Sequence, residues 1–557
     1  MPKKIRSIDV LILSLFTILI TFHPFYTQGE INLFELGLYL PGINAIFHGQ
    51  IPFRDFFHLR GPFELYMPVF LMSLFGKNIS VLNTYFYVGT ILTLIICVLI
   101  AAQIYRTRFI FYLMVPVLIA RTFPRVVFAI WGGMRFVFGL LALFFIIRFI
   151  QREKLIWAFC AGLASALGFF TSAEIGVCSS ISFGMVIIFS FLLGVQEKRL
   201  IVKSAFIYLA GILMIAGPYY FYLASQHALI PYWDSVYSVV SNMQKVIDAH
   251  HVSIYPRNIK EAFLAMVNPH SKNFRHMTPS YLYLLLLVYL ASRIKSKKLD
   301  RSDLLVVGLG TYGFLLYNTS FRGIWAAQFE MALQPEKILW FYVVELLFLF
   351  LLEKKKDFLK ESIQHWKVYA INLFCLILIG SSLGYAISRY HHRFFAFRYL
   401  EDVLLGKNPD HLKPLAGRAL RPLKIERAQG IVVPVEQAGE IETIVGFIQK
   451  ETSPNEKVVM YLDQGIYNFL FDRPFLGRFP IPVFSWFNDR WHHEFVAELQ
   501  NEKPRYVITP KKLLPGWKAV HFALLENRKK YWEVMDIIHS DYVLEKSTSF
   551  SYIYKRK

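Results

Sequence analysis

Between Glu35 and Tyr66 the chain gathers acids, cations and phenols in one stretch rich in Pro, Gly and aromatic residues, ELGLYLPGINAIFHGQIPFRDFFHLRGPFELY. Glu35 and Tyr39 are spaced to share one face of a helix. A carboxylate there has the chemistry of a general base or of a group that orients an acceptor, although a solvated surface acid would show the same spacing. Arg54 and Asp55 stand among aromatics in IPFRDFF, which implies partial burial, where a charge needs a partner. A structural ion pair is the plainer alternative. His58, Arg60, Glu64 and Tyr66 complete a set able, with Tyr39, to line a polar substrate pocket. The stretch is too polar for lipid and too apolar for an ordinary loop.

The elements that must position these residues are membrane helices. Of 557 residues, 55% are hydrophobic, 18% are charged and 52 are Phe, which excludes the ordinary soluble class and places the chain among polytopic membrane proteins. The net charge of +21 comes from Lys and Arg in short clusters between apolar runs, where topology signals lie, and does not indicate nucleic-acid binding. Cys97, Cys160, Cys178 and Cys375 all lie inside apolar runs, so neither a disulfide framework nor a zinc site is implied. The amino terminus, MPKKIRS before IDVLILSLFTILITF, has the flank and run of a signal sequence without a small-residue cleavage site, and is expected to stay as a first helix.

Runs long enough to cross roughly 30 Å of hydrocarbon fall near 8–26, 79–103, 107–123, 127–149, 154–171, 174–195, 202–223, 279–293, 303–319, 337–352 and 367–389. The expectation is therefore about eleven transmembrane helices. Basic clusters open the chain and recur at every second turn, at Arg106 and Arg108, Arg152 and Lys154, Lys198 to Lys203, Arg293 to Arg301, and Lys354 to Lys356. Such clusters mark the cytoplasmic side, so the amino terminus is cytoplasmic. Residues 27–78, 225–278 and everything beyond about 390 are then extracytoplasmic. The run 61–76 suits a short re-entrant or interfacial helix.

Beyond about 390 the pattern becomes soluble. IETIVGFIQK and HEFVAELQ have helical spacing, KVVMYLD and RYVIT are short β-rich runs, and SYIYKRK suits a closing strand. The division expected is a transmembrane domain, 1–389, and a small soluble α/β domain, 390–557. There is no internal repeat and no Gly-rich phosphate loop.

The first loop resembles that of the GT-C membrane glycosyltransferases, polytopic enzymes that take sugars from polyprenyl-phosphate carriers, and in particular the bacterial branch related to the lipid A aminoarabinose transferase and protein mannosyltransferase superfamily. Glu35, Gly37 and Tyr39 match its acid-x-Gly-x-Tyr element; Gly49, Pro52, Arg54, Asp55 and Phe56 match the second element; Gly61, Pro62, Tyr66, Phe75 and Gly76 match the third. Glu35 stands where the family usually has Asp, and Phe53 where it usually has Tyr. GLASALGFFTSAEIGV is similar to a small-residue helix of the family, with Ser172 where Lys is common and Glu174 as the charged group; a face of small residues also serves helix packing. YNFLFDRPFLGRFP, with Asp472, Arg473, Pro474 and Arg478, resembles the corresponding part of the soluble domain.

The resemblance implies a GT-C fold, a polyprenyl-phosphate sugar donor, a lipid, glycan or protein acceptor, inversion at the anomeric carbon, and a multi-pass protein of the bacterial inner membrane with a periplasmic carboxy-terminal domain. Glu35 or Asp55 would serve as the catalytic acid residue. An anionic donor head needs cations, for which the candidates are Arg54, Arg125, Arg135, Arg275 and Arg322; Arg135 leads because it lies in an apolar segment near a span's outer end. No cofactor is indicated. A divalent cation, Mg or Mn, on Glu35 or Asp55 is compatible with carboxylate chemistry, but nothing in the sequence requires it, and adjacent histidines such as His391 and His392 point apart. Two rivals are a transporter or flippase for a lipid or small anion, and a catalytically silent scaffold of the same fold.

Overall fold

The computed structural model describes residues 5–22, 31, 33–122, 134–250, 264, 274–296, 299–320, 334–357, 373, 377, 379–380, 383–391, 394–406, 419–462, 465–483, 487–513 and 522–557. In chain order the helices are α1 (Ser7–Thr21), α2 (Leu33–Gly37), α3 (Leu40–Phe47), α4 (Phe63–Phe75), α5 (Ile79–Ile104), α6 (Arg108–Thr122), α7 (Val137–Arg152), α8 (Leu155–Thr171), α9 (Ala173–Leu193) and α10 (Lys198–Ser225). They continue with α11 (Leu229–His250), α12 (Phe274–Lys295), α13 (Arg301–Ser320), α14 (Gln334–Asp357) and α15 (Phe395–Leu404). The carboxy-terminal part is β1 (Leu420–Pro422), β2 (Val432–Pro434), α16 (Val435–Glu451), β3 (Val458–Met460), α17 (Ile466–Leu470), α18 (Asp489–Glu502), β4 (Tyr506–Pro510), α19 (Leu525–Asp541), β5 (Tyr542–Ser547) and β6 (Ser551–Arg556).

Two compact units divide these elements. The first comprises Met1–Pro24, Phe86–Ile215 and Ser253–Lys413; the second comprises Phe25–Tyr85, Ala216–Val252 and Pro414–Lys557.

Among the described residues α5, α9 and α10 are long and apolar enough to cross a membrane, and α1, α4, α8 and Arg108–Ala120 are shorter apolar helices. In the first unit, small residues let helix backbones meet. A Cβ on Gly162 of α8 would stand 2.1 Å from the Tyr208 carbonyl oxygen of α10, and one on Gly211 would stand 2.4 Å from that of Phe159. The small-residue helix thus serves close packing. Beside it the Tyr208 hydroxyl lies 2.8 Å from the Ser165 hydroxyl and 3.0 Å from that of Ser180, so its one proton and its lone pairs both find partners. Elsewhere in this unit the fully buried Asp9 pairs with Arg108 and accepts from the Tyr112 hydroxyl at 3.0 Å.

In the second unit the four-stranded sheet has the order β3-β4-β6-β5, with β3 and β4 parallel and the remaining pairs antiparallel. A parallel pair needs a crossover, and the chain between β3 and β4 supplies it through α17 and α18. Helix α16 buries Ile441, Ile444, Val445 and Ile448, and α18 buries Trp491, Phe495, Val496 and Leu499, both on the one-sided spacing of a helix that covers a sheet. Strand β5 lies at the sheet edge with Val543, Leu544, Glu545 and Ser547 exposed, and a charge such as that of Glu545 on an edge opposes further pairing.

Candidate active site

Glu35 lies in the single turn of α2, and Tyr39 in the turn that leads to α3. Gly37 makes this junction fit. A Cβ there would stand 3.1 Å from the Ile466 nitrogen and 3.3 Å from the Gly465 nitrogen, where the chain enters α17, so any side chain would press the two backbones apart by a few tenths of an ångström. Upstream, the Gln437 side-chain amide accepts from the Ile31 N–H and donates to the Ile31 carbonyl, each at 3.0 Å.

Five of the residues singled out by the sequence come together here. Glu35, Tyr39, His58 and Glu64 are each no more than 5% exposed, and Arg60, partly buried, lies within electrostatic reach of Tyr39, Glu35 and Glu64. Tyr39 and His58 meet edge to face with ring centroids 6.1 Å apart. Tyr85 of α5, which the sequence did not single out, joins the group beside Glu64 and Tyr39. Burial works to lower the Arg60 guanidinium, but its electrostatic interactions with the Tyr39 phenol oxygen, Glu35 and Glu64 and a hydrogen bond with Tyr39 outweigh it and hold Arg60 above its ordinary value. Burial, and then the Arg60 charge, push the His58 imidazole down to about 3, while a hydrogen bond to the Leu38 backbone acts weakly the other way. His58 is therefore neutral near pH 7. Its Nε2 has no hydrogen-bond partner among the described residues, so the Leu38 bond belongs to Nδ1 and leaves an acceptor lone pair on Nε2.

Arg54 and Asp55 occupy a tight turn instead. Arg54 Nε and Nη2 donate to the Asp55 carboxylate at 2.7 and 2.8 Å, and the Ile51 N–H donates to it at 2.7 Å. The Arg54 hydrogen bond outweighs partial burial and lowers the Asp55 carboxyl below its ordinary range. Phe53 holds the turn in the left-handed region with φ 70°, a conformation that costs a non-glycine residue about 1 kcal/mol or more. Its ring is 2% exposed and packs edge to face on Tyr232 at 4.8 Å. At the far end of the turn the Phe57 N–H donates to the Arg478 carbonyl at 2.6 Å. Tyr66 hydrogen-bonds with Tyr222.

The DRP segment of the tail braces the first loop. The Asp472 carboxylate accepts from Asn44 Nδ2 at 3.1 Å, from His48 Nε2 at 3.1 Å and from Arg427 Nη2 at 2.6 Å. Arg427 Nη1 also donates to Asn44 Oδ1 at 2.7 Å. Partial burial would raise the Asp472 carboxyl, but the His48 hydrogen bond and the Arg427 charge lower it overall. Arg473, 8% exposed, donates to the Thr452 hydroxyl at 2.9 Å and to the Thr452 carbonyl at 2.8 Å, closing the end of α16. Arg478 pairs with Glu494 at 2.5 Å and lies 5.0 Å from the Trp491 ring centroid. Asn44, His48 and Arg427 were not visible as partners in the sequence, because Asn44 and Asp472 are separated by 428 positions.

Among the donor-phosphate candidates, Arg135 pairs with Glu174 in the first unit, and Ser172 donates to the same carboxylate at 3.4 Å. Arg125 and Arg322 lie outside the described residues, as does the side chain of Arg275. No group of three or more His, Cys, Asp or Glu suited to a metal ion occurs among the described residues. Arg60 already supplies the cation beside Glu35 and Glu64, and Asp55 is taken up by Arg54 and Ile51, so these donor sets do not fit a divalent cation.

No family model matches the chain, and no curated protein matches it. Solved structures do. ArnT from Cupriavidus metallidurans bound to undecaprenyl phosphate aligns with a TM-score of 0.51 and 10% identity over 98% of this chain and 97% of that one. The archaeal oligosaccharyltransferase AglB from Archaeoglobus fulgidus, in complex with an inhibitory peptide and a dolichol-phosphate, aligns with a TM-score of 0.51 and 11% identity over 90% of this chain and 69% of that one. At such identities the likeness speaks for architecture, and the architecture is the GT-C fold that the first-loop motif implies.

Proposed function

We propose that this protein is a membrane glycosyltransferase that moves a sugar from a polyprenyl-phosphate-linked donor to a lipid, glycan or protein acceptor on the extracytoplasmic face of a bacterial inner membrane. The observation that carries this reading is the buried group of Glu35, Tyr39, His58, Arg60 and Glu64 in the first loop of a GT-C fold. The structures of similar fold support the donor class, since one holds undecaprenyl phosphate and another dolichol-phosphate.

In the proposed reaction an acceptor hydroxyl oxygen attacks the anomeric carbon as the bond from that carbon to the phosphate oxygen breaks. Glu35 takes the hydroxyl proton, and the polyprenyl phosphate leaves with the bonding pair. Glu35 is preferred to Asp55, because Asp55 is occupied by Arg54 and Ile51 within its own turn. Arg60 lies within electrostatic reach of Glu35 and Glu64 and supplies the positive charge beside them. Neutral His58 offers Nε2 as an acceptor for a sugar hydroxyl. Arg135 is the candidate for the donor phosphate, which would compete with Glu174 for it.

The test is turnover of a labelled lipid-linked sugar by the purified protein in lipid nanodiscs. Glu35→Gln is expected to lower kcat by about 10²–10⁴-fold, the range of a lost general base, and Asp55→Asn by far less. Normal turnover by a double Glu35→Gln, Asp55→Asn variant would refute the site.

A further inference from the structure

Helix α11 has its polarity inside out. Ile230, Trp233, Tyr237 and Val240 are 82%, 46%, 75% and 59% exposed, and at 100° per residue they fall within an arc of about 80°. The opposite face carries Tyr232, Ser235, Ser238 and Asn242, all buried. A helix facing water places its apolar stripe inward and its hydroxyls outward; here the stripe faces out and the serines face in. The polar side is engaged by the soluble part of the same unit. Asn488 Nδ2, next to α18, donates to the Ser238 hydroxyl at 3.0 Å, and Arg490 pairs with Asp234.

Two further observations say what covers the stripe. The helix begins three residues after α10, a helix long and apolar enough to cross a membrane, whose last turns already expose Phe221 at 77%. The stripe also combines Trp and Tyr with aliphatic residues, the composition that favours the zone where hydrocarbon meets headgroups.

We infer that α11 lies along the membrane surface with Ile230, Trp233, Tyr237 and Val240 in the lipid interface, and that its buried polar face carries α18. It is thus a surface-lying helix and not a further span. The inference is independent of the catalytic proposal. It gives the soluble part a fixed seat on the bilayer through Asp234–Arg490 and Ser238–Asn488.

The test places the photoreactive aromatic residue p-benzoylphenylalanine at Trp233, at Tyr237, at Phe221 and at Trp532, which is 54% exposed on α19. The full chain, in nanodiscs of phosphatidylethanolamine and phosphatidylglycerol, is irradiated and its mass is read. Phospholipid adducts are expected at Trp233 and Tyr237, as at Phe221 on the span, and not at Trp532. Adducts at Phe221 without any at Trp233 and Tyr237, cross-links from those two positions to a second chain, or equal adducts at Trp532 would each overturn the inference. Because the probe is an aromatic in place of an exposed aromatic, folding is preserved.

Discussion

Asn44 donates through Nδ2 to the Asp472 carboxylate across 3.1 Å, joining the helix that follows Glu35 to a tail segment 428 positions later. Asp472→Ala removes this acceptor from Asn44, His48 and Arg427 together and leaves the Arg427 guanidinium, 14% exposed, without its carboxylate. The expected cost is about 1.5–3 kcal/mol, the range of hydrogen bonds to charged groups. Chemical unfolding of the solubilised protein measures it, and Asp472→Asn, which keeps one acceptor oxygen, should cost less.

Gly37→Ala tests the close approach at the α2–α3 junction. The new methyl group would meet the Ile466 backbone nitrogen at 3.1 Å, and backbone cannot swing aside as a side chain does. Overpacking of this kind costs about 1–3 kcal/mol. Hydrogen exchange across residues 33–47 should rise in the variant, and turnover should fall with it.

The buried neutral His58 predicts a loss of stability in mild acid. Its folded-state value is down at about 3, whereas the unfolded chain takes up a proton near about 6.5. As the pH falls below that unfolded value, only the unfolded state gains the proton. At pH 5 this favours unfolding by about 2 kcal/mol relative to pH 7. His58→Gln removes the titrating group, so the difference in Tm between pH 7 and pH 5 should shrink in that variant.

Arg473→Lys should fail to replace Arg473. The guanidinium reaches the Thr452 hydroxyl, the Thr452 carbonyl and the Phe471 carbonyl at once, at 2.9, 2.8 and 3.0 Å, and a single ammonium cannot span that fork. Loss of these bonds at a buried position predicts a drop of about 2–4 kcal/mol in unfolding free energy, read by thermal denaturation.

How much of this was legible in the sequence depends on whether the signal was local. Long apolar runs announced α5, α9 and α10, and β-rich runs announced β3, β4 and β6, since each carries its own pattern. Strand β5 was not announced, because at the sheet edge most of YVLEKS faces outward and no alternation develops. Helix α19 escaped because Val534, Met535 and Ile538 form a narrow buried strip inside a charged segment. Helix α11 read as loop, its stripe diluted by Ser, Asn and Asp that belong on the inner face. At the site, the composition of the first loop pointed to Glu35, Tyr39, His58, Arg60 and Glu64. The partners that brace it, Arg427 and Asp472, gave no such sign, since a contact made by folding leaves no spacing to read.

Phe53 sits in a backbone region its side chain disfavours, and the turn bearing Arg54 and Asp55 is held in it by the hydrogen bonds of Ile51 and Phe57 together with the packing of the Phe53 ring on Tyr232. Tyr232 belongs to α11. One face of α11 therefore touches two things at once: Tyr232 packs on the ring that sets the Arg54–Asp55 turn, while Ser238 receives Asn488 beside α18, so a single helix gives the first loop and the soluble part a common support.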